Sequence, residues 1–303
     1  MHRRRFLATL GASLAALGLP RLAVARPQGI LTKAIPTTGE AIPAIGMGTW
    51  ITFNVGGDPQ ARAQRVDVLR TFFELGGGMV DSSPMYGSAE AVVGHCLEAL
   101  GTPQELFSAT KVWTSSGEDG PDEIETSRAL WGVDRFDLLQ VHNLLAWEDH
   151  LQTLLEMKAQ GRLRYVGVTT SHGRRHGDIE QVMRTQPIDF VQATYNIADR
   201  EVEQRILPLA AERGIAFIAN RPFRRGDLID HVKRHPLPPW AAEIDCDNWA
   251  AFLLKFIVSH PAVTCAIPAT SRVDHMRENM DALRGRVPDT AMRERMIDYV
   301  RSL

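Results

Sequence analysis

The chain has 303 residues, with 34 lysines and arginines against 36 aspartates and glutamates, 44% hydrophobic and 23% charged residues, a composition that excludes a disordered or collagen-like chain. A formal charge of −2, with the basic residues spread along the chain, excludes an electrostatic stripe for nucleic acid. Cys96, Cys246 and Cys265 form no close pair, so neither a disulfide scaffold nor a cysteine-rich metal site is indicated.

At the amino terminus, Arg3, Arg4, Arg5, Phe6 and Leu7 fit the twin-arginine export pattern. An apolar run rich in Ala and Gly follows over 7–19, too short for the roughly 20 residues of a membrane-spanning helix. Ala23-Val24-Ala25 is a small-x-small cleavage site. Residues 1–25 are therefore expected to be a signal peptide read by the twin-arginine (Tat) export machinery, with 26–303 as a periplasmic domain that carries no stable membrane insertion. Cleavage removes four arginines and no acid, taking the formal charge from −2 to −6.

From residue 26 onward, apolar strand-like runs alternate with helical patterns, the signal of a parallel sheet. A hairpin is expected over 31–35 and 40–44, then strands over 45–50, 79–81, 106–111, 137–142, 164–169, 190–193, 215–219 and 264–268. Val66, Leu69 and Phe73, then Leu151, Leu154 and Leu155, then Val202, Ile206, Leu209 and Ala210 mark helix faces between them. Gly76, Gly161 and Gly214 stand where these helices should stop. Eight strand–helix units over this length predict an α/β fold, a (β/α)8 TIM barrel with an N-terminal β-hairpin. An open doubly wound sheet would carry Gly-x-Gly-x-x-Gly after its first strand, which this chain lacks. The connection over 222–248 is long enough to cover a site.

A barrel gathers the carboxyl ends of its strands on one face. Asp81, Lys111 and His142 end three consecutive strands there, and Tyr86 lies five residues beyond Asp81. Four such side chains at one mouth point to one shared functional site rather than to four unrelated surface charges.

These residues resemble the aldo-keto reductase family. The likeness is carried by Gly46-Met47-Gly48-Thr49-Trp50, Val80-Asp81-Ser82-Ser83-Pro84-Met85-Tyr86-Gly87, Ala109-Thr110-Lys111, Leu139-Gln140-Val141-His142, Gln192 through Asn196, Ile267-Pro268 and Glu278-Asn279. The resemblance implies reversible NADP(H)-dependent reduction of a small aldehyde or ketone, with Asp81, Tyr86, Lys111 and His142 as a catalytic tetrad. Tyr86 would be the acid, Lys111 would lower its pKa, Asp81 would orient Lys111, and His142 would hydrogen-bond the carbonyl oxygen.

By the same likeness Thr49, Trp50, Thr169, Thr170, Gln192, Arg221, Ser271, Arg272, Glu278 and Asn279 would hold the cofactor, with Gln192 on the nicotinamide carboxamide and Ser271 and Arg272 on the 2′-phosphate. Thr169-Thr170 replaces the Ser-Asn of many members, Asn220 stands where an aromatic usually stacks on nicotinamide, and Ala269 and His275 depart from one branch's Lys and Arg. Trp50, Trp113 and Trp147 would line the substrate pocket. A monomer is expected. Two other readings stay open: a non-catalytic or slow-turnover nicotinamide-binding regulatory barrel, and a lyase or aldolase forming a Schiff base on Lys111.

Overall fold

The structure, a computed structural model, describes residues 29–303; the expected export signal lies outside them. Thr32–Ala34 (β1) and Ala41–Pro43 (β2) pair antiparallel, with Lys33 opposite Ile42. Among the described residues eight parallel strands follow: Met47–Gly48 (β3), Met79–Asp81 (β4), Phe107–Val112 (β5), Phe136–Val141 (β6), Leu163–Thr169 (β7), Phe190–Thr194 (β8), Ala216–Asn220 (β9) and Val263–Ala266 (β10). Each pairs with the next in chain order. Parallel bridges between Ile45 and Ala266 and between Gly48 and Ala269 join the first to the last, closing the (β/α)8 barrel. Gly48 belongs at that seam, because a Cβ there would stand 2.9 Å from the Ile267 carbonyl oxygen.

The helices pack outside: Pro59–Glu74 (α1), Ala89–Leu100 (α2), Gly120–Trp131 (α3), Trp147–Ala159 (α4), His176–Thr185 (α5) and Ile206–Arg213 (α6) each follow one strand. After β9 come Asp227–Val232 (α7) and Trp249–Val258 (α8), after β10 Val273–Asp281 (α9), and Thr290–Ser302 (α10) ends the chain. Side chains of Asp58, Asn248 and Asp289 cap α1, α8 and α10 by accepting an N–H of the first turn.

Burial divides into two layers. Apolar residues between strands and helices form the larger core. Inside the barrel Met79, Phe107, Leu138, Tyr165, Phe190 and Ile218 pack on Ile35 and Ile42 of the hairpin. The rings of Phe107, Tyr165 and Phe190 lie 5.5–6.1 Å apart by centroid, and fully burying side chains of this kind contributes about 1.5–3 kcal/mol each. The hairpin thus floors the barrel at its amino end, and the carboxyl end is left for chemistry.

The connection 222–248 is more ordered than a loop. Its first half, with Pro222, Phe223, Arg225, Gly226, Ile229 and Asp230, walls the mouth cavity. Its second half packs away from the mouth, where Trp240 meets Phe252 and Tyr299. There the buried Lys255 ammonium donates to the carbonyls of Ile244, Asp245 and Arg286.

Candidate active site

At the carboxyl end of the barrel a cavity of about 480 Å³ runs from Tyr86 and His142 to the start of α9. Strand register builds its floor: Gly48 stands opposite Asp81, and Lys111 opposite Gln140. Asp81 is the last residue of β4, and its Oδ1 accepts a hydrogen bond from Lys111 Nζ at 2.6 Å. Gln140 and Gln192 each donate an Nε2–H to Asp81 Oδ2 at 3.2 Å. Lys111 Nζ also donates to the Ser82 carbonyl at 2.7 Å. Two of its three donors are then taken, and the third serves Tyr86, whose ring centroid is 5.2 Å from Nζ.

Tyr86 ends a short 3₁₀ turn, Pro84–Tyr86, whose start is capped by Ser83. Its ring meets the His142 ring edge-on, centroids 5.6 Å apart. His142 follows β6 directly and is buried. The structure therefore brings Asp81, Tyr86, Lys111 and His142 to one spot from three consecutive strand ends.

The electrostatics differ from the sequence expectation at one point. Burial raises the Tyr86 phenol above its ordinary value; Lys111 pulls it down and Asp81 pushes it up, and the net is upward. The expected lowering by Lys111 operates but is outweighed, because the phenol is withdrawn from water and the Lys111 charge is already compensated by Asp81. Burial also works against the Lys111 ammonium, yet Asp81 and then Tyr86 overcome it and leave the lysine above its ordinary value. His142 is pushed down to about 2, first by burial and then by Lys111, so its imidazole is neutral at physiological pH.

Around this group, Thr49 Oγ1 lies 2.8 Å from Ser82 Oγ and 3.0 Å from the Asp81 carbonyl oxygen. Thr169 Oγ1 accepts the Asn143 N–H at 3.1 Å. Asn220 lies in a belt of amides: it donates to the Thr170 carbonyl at 2.8 Å and to Gln192 Oε1 at 3.4 Å, and accepts from Thr194 Oγ1 at 2.8 Å. Thr170 Oγ1, in the same wall, is buried without any hydrogen-bond partner among the described residues.

Across the mouth, the Arg225 guanidinium lies over Trp50 at 4.3 Å from the ring centroid. Arg221, at φ 53°, donates to His172 Nε2 at 2.8 Å. Neither Arg221 nor Arg225 has a carboxylate within salt-bridge distance among the described residues. Glu278 and Asn279 line the far end of the cavity, whereas Ser271 is outside its lining. Arg272 is exposed at the start of α9 and ion-paired with Asp274, its Nε 2.9 Å from Oδ1.

Of the three tryptophans expected around the substrate, Trp50 alone lines this cavity. Trp113 follows the end of β5 and stands 40% exposed. Trp147 opens α4 and lines a separate outer groove with Leu151 and Leu155. Both lie beyond their strands, where loop path rather than strand alternation sets the direction.

Sequence reasoning assigned no role to Gln140, Ser83, Thr194 and Arg225, although the first three lie in segments that carry the family likeness. Gln140 had a readable signal, an uncharged polar residue within an otherwise apolar parallel strand. The others depend on partners distant in the chain.

Residues 44–295 match the model of the Aldo/keto reductase family. The chain is similar to Methylglyoxal reductase YeaE of Escherichia coli, 28% identical over 257 residues that cover 83% of this chain and 89% of that protein. It is also similar to the NADH-specific methylglyoxal reductase of the same organism, 26% identical over 68% of this chain and 72% of the relative. A crystal structure of an aldo-keto reductase from Klebsiella pneumoniae in complex with NADPH shares the fold, with a TM-score of 0.75 and 23% identity over 89% of this chain and 96% of the other.

Proposed function

The chain belongs to the aldo/keto reductase family, and from that premise we propose that it reduces an aldehyde or ketone to the alcohol with NADP(H), using Tyr86 as the acid. The observation that carries this reading is the buried Lys111–Asp81 pair beneath Tyr86 and His142 at the barrel mouth. The wall fits a nicotinamide nucleotide: Thr170 Oγ1 is an unpartnered buried polar atom beside the Asn220 and Gln192 amides, groups that suit a carboxamide. Arg221 and Arg225, in no ion pair among the described residues, offer positive charge to phosphate, and Glu278 and Asn279, with Ser271 and Arg272 outside the cavity lining, would hold the adenosine end. NADP(H) is supported further by the crystallised relative's NADPH, with Arg272 as the 2′-phosphate partner once Asp274 shares it.

When bound, the cofactor supplies the hydrogen and electron pair that reach the carbonyl carbon. Tyr86 keeps its proton at neutral pH, because burial holds its pKa up, and gives it to the carbonyl oxygen as charge develops there. Lys111 stabilises the phenolate this leaves, and Asp81, fixed by Gln140 and Gln192, keeps the lysine charged and in place. Neutral His142 donates a hydrogen bond to the same oxygen and sets which face of the carbonyl is presented. Lys111 is unsuited to Schiff-base chemistry, since its amine is fully buried and held as the ammonium.

A carbonyl panel read by nicotinamide absorbance tests the reading. NADPH oxidation by at least one aldehyde or ketone is expected. Tight nucleotide binding with no oxidation across the panel would favour the regulatory barrel, which Asn220 supports by offering the nicotinamide amide groups instead of a stacking ring. Arg3, Arg4 and the cleavage site support export of the folded, cofactor-loaded protein by the twin-arginine route to the periplasm. Changing Arg3→Lys with Arg4→Lys should hold it in the cytoplasm, and cell fractionation placing the parent there as well would reject export.

A further inference from the structure

Resting on the reductase reading, we propose that Ser83 is a positioning residue that holds His142 in the tautomer carrying its hydrogen on Nε2, so that this nitrogen donates to the carbonyl oxygen. Ser83 Oγ and His142 Nδ1 are 2.7 Å apart, and both residues are buried. Either atom can be the donor in isolation, so the direction follows from what else each atom does.

Ser83 Oγ also accepts the Met85 N–H at 3.2 Å, the bond that starts the turn carrying Tyr86. Were Nδ1–H the donor to Ser83, the serine oxygen would accept twice and its own hydrogen would have no acceptor in a fully buried site, a costly arrangement. With the hydroxyl donating to Nδ1, both the hydrogen and the oxygen of that hydroxyl are used. The imidazole is neutral and carries one hydrogen, and Nδ1 is then an acceptor, so the hydrogen is on Nε2. His142 lines the mouth cavity, and Nε2 makes no hydrogen bond among the described residues yet is not among the sealed polar atoms. It therefore opens on the cavity with its donor free.

The same serine joins the two groups that meet the carbonyl oxygen. Its oxygen fixes the turn that ends in Tyr86, and its hydrogen fixes the ring of His142. The two rings stand edge to face at 86°, a geometry that a loose imidazole would lose.

The test compares parent, Ser83→Ala and Ser83→Thr by ring ¹⁵N shifts of His142 in histidine-labelled protein, kcat and KM on one aldehyde, and the alcohol enantiomer ratio from a prochiral aryl ketone. The parent should show Nε2 protonated and Nδ1 unprotonated. In Ser83→Ala the two nitrogens should move toward an averaged pair, kcat should fall about five- to tenfold with NADPH affinity unchanged, and enantiomer selectivity should drop; Ser83→Thr should restore all three. A parent with Nδ1 protonated, or a Ser83→Ala protein with unchanged ring shifts and kcat within about twofold, overturns the lock. Because the ring shifts need no turnover, a parent that reduces no carbonyl while its His142 shifts respond to Ser83→Ala would refute the reductase reading and leave the tautomer assignment standing.

Discussion

Replacing Asp81 by Asn keeps shape and removes one negative charge from the floor of the site. In the parent the fully buried Lys111 ammonium rests on Asp81 Oδ1 at 2.6 Å and the Ser82 carbonyl at 2.7 Å. The variant leaves that cation with neutral partners alone. Removing one member of a buried ion pair costs about 3–5 kcal/mol, and in a domain of this size the melting temperature should fall on the order of 10 °C at neutral pH. The pH dependence fixes the cause. In the parent, burial disfavours the ammonium, but Asp81 and Tyr86 raise the lysine above its ordinary value, so its contribution is complete below the unfolded value of about 10.4 and is lost only above it. In Asp81→Asn burial is left without its main opponent, and the folded pKa drops below the ordinary value. The unfolded chain then binds more protons, so the variant gains stability as pH rises toward about 10. Melting curves at several pH values should show the gap between parent and variant narrowing with pH. A variant within about 2 °C of the parent at neutral pH, or a gap that widens with pH, would refute the buried-pair argument.

Reductive turnover should stay level through the neutral range and decline only as pH approaches the raised phenol value, above about 10, while alcohol oxidation, which needs the phenolate, should rise with pH; a decline in reduction centred near 6.5 would assign control to a titrating histidine and contradict the buried neutral His142. Asp274→Asn frees Arg272 from its ion pair, and should tighten NADPH about two- to fivefold with NADH unmoved; intrinsic-fluorescence titrations showing equal changes for both nucleotides would reject the 2′-phosphate role. Thr170→Val removes a buried hydroxyl that has no partner, so unliganded melting should hold or rise while NADPH affinity drops about five- to tenfold. Unchanged affinity would take Thr170 out of the cofactor wall.

The strand positions were legible because apolar runs such as 190–194 and 216–220 are short, bounded and separated by helical spacing, and the hairpin because a turn sequence divides two extended runs. Asp81, Lys111 and His142 were legible as neighbours, since strand order alone brings consecutive strand ends together once the barrel is assumed. The direction of the Tyr86 shift was not, because burial of the phenol comes from how the 84–86 turn lies on β5 and α2 and against the His142 ring, a tertiary fact that outweighs the nearby charge. Trp113 and Trp147 escaped prediction for the same reason: each lies past its strand, where alternation no longer dictates direction. Ser83 and His142 are 59 residues apart, and no local pattern announces a hydrogen bond between them. Within 222–248, Leu228 and Val232 bury one face of a six-residue helix, a period too short to stand out in sequence.

Stopped-flow mixing of NADPH-loaded protein with an aldehyde that the parent reduces follows a single turnover by nicotinamide absorbance. It reads the chemical step without product release. The parent should oxidise its bound NADPH in one phase, and Tyr86→Phe, with NADPH affinity within about twofold of the parent, should be slower by about a hundredfold or more. A Tyr86→Phe protein that oxidises bound NADPH at the parent's rate would contradict the assignment of Tyr86 as the acid, and with it the chemistry proposed for this site.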